Sequence, residues 1–152
     1  MSSDAHPDGE IRISRADRAA GDASLTRPIS RPFPGRHDQV AHARDFVKQV
    51  VGCSPVLDEA VLLASELCTN ALQHTGSGIG GSFEVTVYRG DGFLRVEVQD
   101  DGSETVPVVQ SFEELTEYGR GLEIVRLVAH RWGQNGDRYS RTVFFELRWN
   151  SS

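Results

Sequence analysis

The chain has little of what would place it outside the ordinary globular class. Cysteine occurs twice in 152 residues, as Cys53 and Cys68. Two thiols cannot build a four-cysteine zinc cage or a disulfide framework, and Cys68 falls within an amphipathic helical pattern, so both read as small buried thiols. No apolar run approaches the ~20 residues that span a bilayer. The first residues, MSSDAHPDGE, lack the basic start and apolar centre of a secretory leader. The expectation is a cytoplasmic protein with no membrane contact. Basic residues are outnumbered, 16 against 22 acidic, for a net charge of −6. That balance argues against direct nucleic-acid binding, which depends on clustered Lys and Arg to neutralise phosphates. It leaves room for a nucleotide, which needs only a few local donors.

What is present fits one domain preceded by a tail. Residues 1–28 carry few large apolar side chains and predict a disordered N-terminal tail, because the surface they could bury does not offset the entropy of ordering them. The domain is expected over 29–150. It opens with RPISRPFPGR, whose prolines at 28, 32 and 34 suit an edge strand, since proline has no amide to give to a neighbour.

A helix is predicted over His37–Val51 from the spacing of Val40, Ala43, Phe46, Val47 and Val50. A second is predicted over Leu57–Gln73. A hairpin follows, with Phe83, Val85 and Val87 alternating with polar residues, a turn at Gly90-Asp91-Gly92, and then Leu94, Val96 and Val98. Residues 103–118 read as an acidic loop. A third helix starts near Gly121, and two short strands, Arg131–Gln134 and Arg141–Trp149, flank a turn at Asn135-Gly136.

Three places in this pattern carry chemistry. Asp100 continues the row Leu94, Val96, Val98 on one face of its strand, because strand side chains alternate with period two. A carboxylate in register with the core needs a donor, and an adenine amino group would serve. Asp100-Asp101-Gly102 also reads simply as a turn. In the second helix, Ala60, Ala64, Leu67, Cys68 and Ala71 form an apolar face, with Glu66, Thr69, Asn70, Gln73 and His74 opposite. Glu66 and Asn70, four apart, are neighbours on that helix. The pair suits phosphoryl transfer, with the Asn70 amide oxygen on Mg²⁺ and Glu66 accepting the proton of an attacking hydroxyl. A plain solvated face is the commoner meaning of such a pair. His74 reads as a capping residue at the helix end. The third place is Tyr118-Gly119-Arg120-Gly121-Leu122, where two glycines before a helix let backbone amides approach a phosphate. It is neither a dinucleotide fingerprint nor a P-loop, for the third glycine and the Gly-Lys-Ser/Thr are missing.

In this order, the three places resemble the GHKL ATPase superfamily, which includes gyrase, histidine kinases and mismatch-repair ATPases. Glu66-Leu-Cys-Thr-Asn70 is similar to its N-box, Asp100-Asp-Gly102 to its first glycine box, and Gly119-Arg-Gly-Leu-Glu-Ile-Val to its second. The fuller wording, SELCTNALQHTGSG with GRGLEIVRLVAHRWG and RTVFFEL, looks most like bacterial anti-sigma-factor serine/threonine kinases. The likeness covers roughly residues 30–149.

It implies an α+β two-layer sandwich, with helices on one face of a mostly antiparallel mixed sheet. It implies ATP and Mg²⁺ as cofactors, with Asp100 on the adenine amino group, Gly102 shaping that turn, Asn70 as metal ligand and Glu66 as catalytic base. Gly119, Arg120, Gly121 and Leu122 would surround the phosphates under a lid at 103–118, and Thr142 would support the adenine pocket. The implied partners are an anti-anti-sigma-type antagonist, phosphorylated on serine, and a sigma factor. The open face of the sheet suits a homodimer, as in kinase relatives. Two departures stand out: Ser103 and Glu104 follow Gly102, where a second glycine is common, and the lid is acidic (Glu104, Glu113, Glu114, Glu117).

Two other function classes fit the same residues. One is an ATP-gated binding module without turnover, which tight ATP binding with no transfer would mark. The other is a detached histidine-kinase ATPase domain, which lacks here the long helical pair that carries a phosphoacceptor His.

Overall fold

The computed structural model describes residues 4–5, 11–12, 26–74, 81–101, 123–136 and 140–150. The expected lid, the glycine pair, Gly102 and residues 75–80 lie outside them. Two short strands, β1 (Asp4–Ala5) and β2 (Ile11–Arg12), pair antiparallel within the segment read as a tail, and β2 lies against the far edge of the main sheet. The main sheet has the order β3-β4-β5-β7-β6, with β3 at Ile29–Pro34, β4 at Ser82–Gly90, β5 at Phe93–Asp100, β6 at Arg131–Gly136 and β7 at Arg141–Arg148. Every pairing between these described strands is antiparallel, in keeping with the mostly antiparallel sheet that the resemblance implied. The proline-rich β3 is an edge strand, as the missing amides require.

Helix α1 runs over Gln39–Val51 and begins two residues later than the apolar spacing suggested. Asp38, at its N-cap, makes no side-chain capping bond and instead pairs with Arg36 Nε at 3.2 Å. The helix stops at Gly52, whose φ of 65° and ψ of −148° form a conformation that glycine adopts without strain, and whose N–H donates to Lys48 O. Helix α2 spans Leu57–His74, with Asp58 and Glu59 in its first turn, where acidic side chains complement the helix dipole. Just before it, Ser54 Oγ accepts from the Val56 amide at 3.3 Å. Residues 123–128 form a third helical segment, α3, anchored by the fully buried Val125.

Both α1 and α2 pack on the same side of the sheet, α2 against β5 and β7 and α1 against β3 and β4. The core between them has Ala60, Ala64, Leu67, Cys68 and Ala71 of α2 against Val85, Val87, Val96 and Val98, all read from periodicity, joined by Val143 and Phe145 of β7. Phe33 stacks on Phe83 at 5.5 Å between ring centroids and meets Phe46 of α1 edge-on at 6.0 Å.

Two local expectations change. Cys53 is exposed in the loop after Gly52, so only Cys68 is a core thiol; both are free. Asn135 and Gly136 are not a turn. They extend β6, opposite Thr142 and Arg141 of β7, and the connection lies beyond them. Asn-Gly favours a hairpin turn, but here the ladder runs through it, and Gly136 supplies a φ of 136° at its last rung.

The other face of the sheet is not the solvated surface that alternation predicts. Phe93, Arg95, Glu97, Phe144 and Glu146 lie on it, and none is more than 5% exposed.

Candidate nucleotide site

The strand registers align one residue from each strand in a row across the sheet: Phe33, Phe83, Asp100, Arg141 and Gly136. Phe33 and Phe83 belong to the core, so by alternation the row faces the helices. Asp100 thus ends the apolar row Leu94, Val96, Val98 inside the sandwich, with only 3% of its surface exposed. The simple-turn reading of Asp100 does not hold, since Asp100 is the last residue of β5 and buried. Its neighbour Asp101 lies past the strand, is exposed and accepts from the Ser82 amide at 2.9 Å.

A carboxylate in that position needs donors, and one partner comes from the next strand. Arg141 Nε and Nη2 each donate to Asp100 Oδ2 at 3.3 Å. The sequence drew no attention to Arg141. Only the β5–β7 register, which joins segments 41 residues apart, reveals it beside Asp100. The same register turns Thr142 away. Thr142 pairs with Gln99 and Asn135, so its side chain projects from the face opposite Asp100. The two are not brought together, and Arg141 takes the place beside the carboxylate that Thr142 was expected to have.

On α2, Asn70 is only 5% exposed, set at the margin of the helix's apolar face with Leu63, Leu67 and Ala71. Its Nδ2 is buried without a hydrogen-bond partner among the described residues. An unpaired buried amide is costly, so a position that keeps one needs a reason beyond packing. Glu66, one turn earlier, is half-buried and has no hydrogen-bond or ion-pair partner among the described residues, which leaves its carboxylate available to accept a proton. Leu63 is fully buried and Leu62 is 45% exposed, so one of the two leucines beside this polar pair faces the core and the other faces solvent.

Among the described residues no group of three or more His, Cys, Asp or Glu could hold a metal alone. Mg²⁺ takes as few as one or two protein oxygens and draws the rest from phosphates and water. Asn70 is the described residue suited to the protein's share. Gly102, Gly119, Arg120, Gly121 and Leu122 fall outside the described residues. No helix is long and apolar enough to cross a membrane.

The family model of the histidine kinase-like ATPase domain matches residues 33–138. The chain belongs to the histidine kinase-like ATPase family. No individual curated protein matches the chain alongside it. As a member of that family, the chain is an ATP-binding domain of the GHKL type, and its antiparallel sheet with helices on one face is consistent with that fold.

Proposed function

We propose that this histidine kinase-like ATPase domain is a regulatory protein serine/threonine kinase of the anti-sigma-factor type, which phosphorylates an antagonist protein on serine and thereby changes partners. The observation that carries the nucleotide half is Asp100, a carboxylate buried at the end of an apolar strand row where an adenine amino group is a fitting donor. Asn70 would hold Mg²⁺, which supplies charge neutralisation at the phosphates. Gly119, Arg120, Gly121 and Leu122 would surround those phosphates, and Gly102 would shape the turn beyond Asp100.

The kinase half rests on Glu66. Its carboxylate, without a partner among the described residues, lies one helical turn from Asn70 and so on the same side of α2. In the transfer, the acceptor serine oxygen bonds to the γ-phosphorus as the bond to the bridging β–γ oxygen breaks. The serine proton passes to the Glu66 carboxylate, and ADP leaves. Partner switching then follows from charge, since a new phosphate adds about −1.5 to −2 to the antagonist's surface at neutral pH.

The experiment is transfer from γ-labelled ATP into a lysate of the source cells, with wild type and Glu66→Ala in parallel after both are shown to bind nucleotide. A small labelled protein seen only with wild type is expected. Equal labelling with Glu66→Ala would remove Glu66 as the base. Nucleotide binding without any labelled protein would leave an ATP-gated binding module as the better reading.

A further inference from the structure

We propose that Arg141 is a base-reading residue, which together with Asp100 forms a two-point reader of the nucleobase edge. Asp100 would accept the exocyclic amine, and the Arg141 guanidinium would donate to the adjacent ring nitrogen. This rests on the nucleotide reading of Asp100 and adds the residue that decides which base is accepted.

Three observations carry it. The first is the form of the contact. Arg141 does not hold Asp100 in the two-oxygen fork typical of structural arginine–carboxylate pairs; Nε and Nη2 converge on Oδ2, each at 3.3 Å. Charge-assisted bonds that serve to lock two side chains together are shorter, about 2.7–2.9 Å. The second is depth. The Asp100 side chain is 1% exposed and that of Arg141 is 23% exposed, so the acceptor is buried and the donor beside it reaches the surface. The third is donor count. Arg carries five N–H groups, and its Nη1 has no partner among the described residues.

An acceptor beside a donor selects the complementary edge. Adenine presents an amine next to the unprotonated N1 and matches both points. Hypoxanthine and guanine present a carbonyl next to N1–H, which sets oxygen against carboxylate and N–H against guanidinium. A site whose buried polar groups would be left mismatched rejects such a ligand strongly.

The test measures binding of ATP, 1-deaza-ATP (adenine with N1 replaced by C–H) and inosine triphosphate to the whole chain, by calorimetry or competition. The proteins are wild type, Arg141→Met and Arg141→Lys, each checked for an intact thermal transition. Wild type should bind 1-deaza-ATP about tenfold more weakly than ATP, the loss expected for one bond from a charged donor. Inosine triphosphate should be weaker still. In Arg141→Met the ratio between ATP and 1-deaza-ATP should fall to near one, and Arg141→Lys, which keeps a cationic donor, should restore part of it. An unchanged ratio in Arg141→Met would overturn the reader. So would tighter ATP binding in that variant, which would mark Arg141 as a competitor for Asp100. If wild type binds none of the three, the nucleotide reading of Asp100 fails first and the reader falls with it.

Discussion

The Arg95 guanidinium lies 3.7 Å from the centroid of the Phe144 ring, across the β5–β7 pairing and on the sheet face away from the helices. It is held there from both sides: Nε donates to Glu97 Oε2 at 2.8 Å, and Nη1 donates to Glu146 Oε2 at 2.5 Å. All three charged side chains are at most 7% exposed, so the cation joins two carboxylates that would otherwise repel. Arg131 and Arg148 add positive charge near Glu146 Oε1, at 4.0 and 3.9 Å.

Replacing Arg95 by Ala should therefore cost about 3–5 kcal/mol, because it removes the cation between two buried carboxylates and the cover of the Phe144 ring. For a chain of this size the melting midpoint should drop by roughly 10 °C. Calorimetry or a circular-dichroism melt measures it. Replacing Arg95, Glu97 and Glu146 together by apolar residues of similar volume should cost far less, since it removes the buried charges along with their partners.

Asp100→Asn keeps the side-chain shape and leaves an acceptor for Arg141. It removes the charge that would hold an amine, so ATP affinity should fall roughly ten- to a hundredfold with the fold intact. Isothermal titration beside a thermal melt separates the two effects.

Gly136→Ala should destabilise by about 1–3 kcal/mol. Its φ of 136° disfavours any side chain, and an added Cβ would come within 2.2 Å of the Ser140 carbonyl oxygen, so backbone must shift. Chemical denaturation of the variant gives the number.

The two cysteines should differ in reactivity. Cys53 is exposed, while burial pushes the Cys68 thiol up to about 12. A thiol reagent at pH 8 should modify one cysteine in the folded protein and two after denaturation, because the thiolate is the reactive form. The folded chain holds the Cys68 proton more tightly than the unfolded chain does. Stability is thus unaffected by Cys68 below about pH 9 and declines as pH rises from 9.0 toward about 12. Cys68→Ser should flatten that part of the alkaline decline, read from melts across pH.

The core and the order of elements were legible in the sequence because they follow from local periodicity. The α2 face with Leu67 and Cys68, and the β4–β5 hairpin closed by Asp91-Gly92, are set by residues close in the chain. What was not legible depends on which strand lies beside which. Alternation put Arg95 and Glu97 on a polar, outward face, but both are buried there, with Arg95 paired to Glu146 and over the Phe144 ring, some 50 residues on. Thr142 and Arg141 differ by one residue and so by the whole thickness of the sheet, and choosing between them needs the β5–β7 register. Asn135-Gly136 has turn chemistry, yet the β6–β7 ladder continues through it.

The sheet is assembled from two halves of unequal origin. The β4–β5 and β6–β7 hairpins each close over a short connection, whereas β5 and β7 join partners 41 or more residues apart, a closure whose entropy is overcome later in folding. Asp100 and Arg141 stand on opposite banks of that joint. A ligand that grips both residues closes a clasp over the last part of the sheet to come together. Its first effect on the protein would be to slow the parting of the two hairpins, which protects the amides of β5 and β7 from exchange before any phosphate is moved.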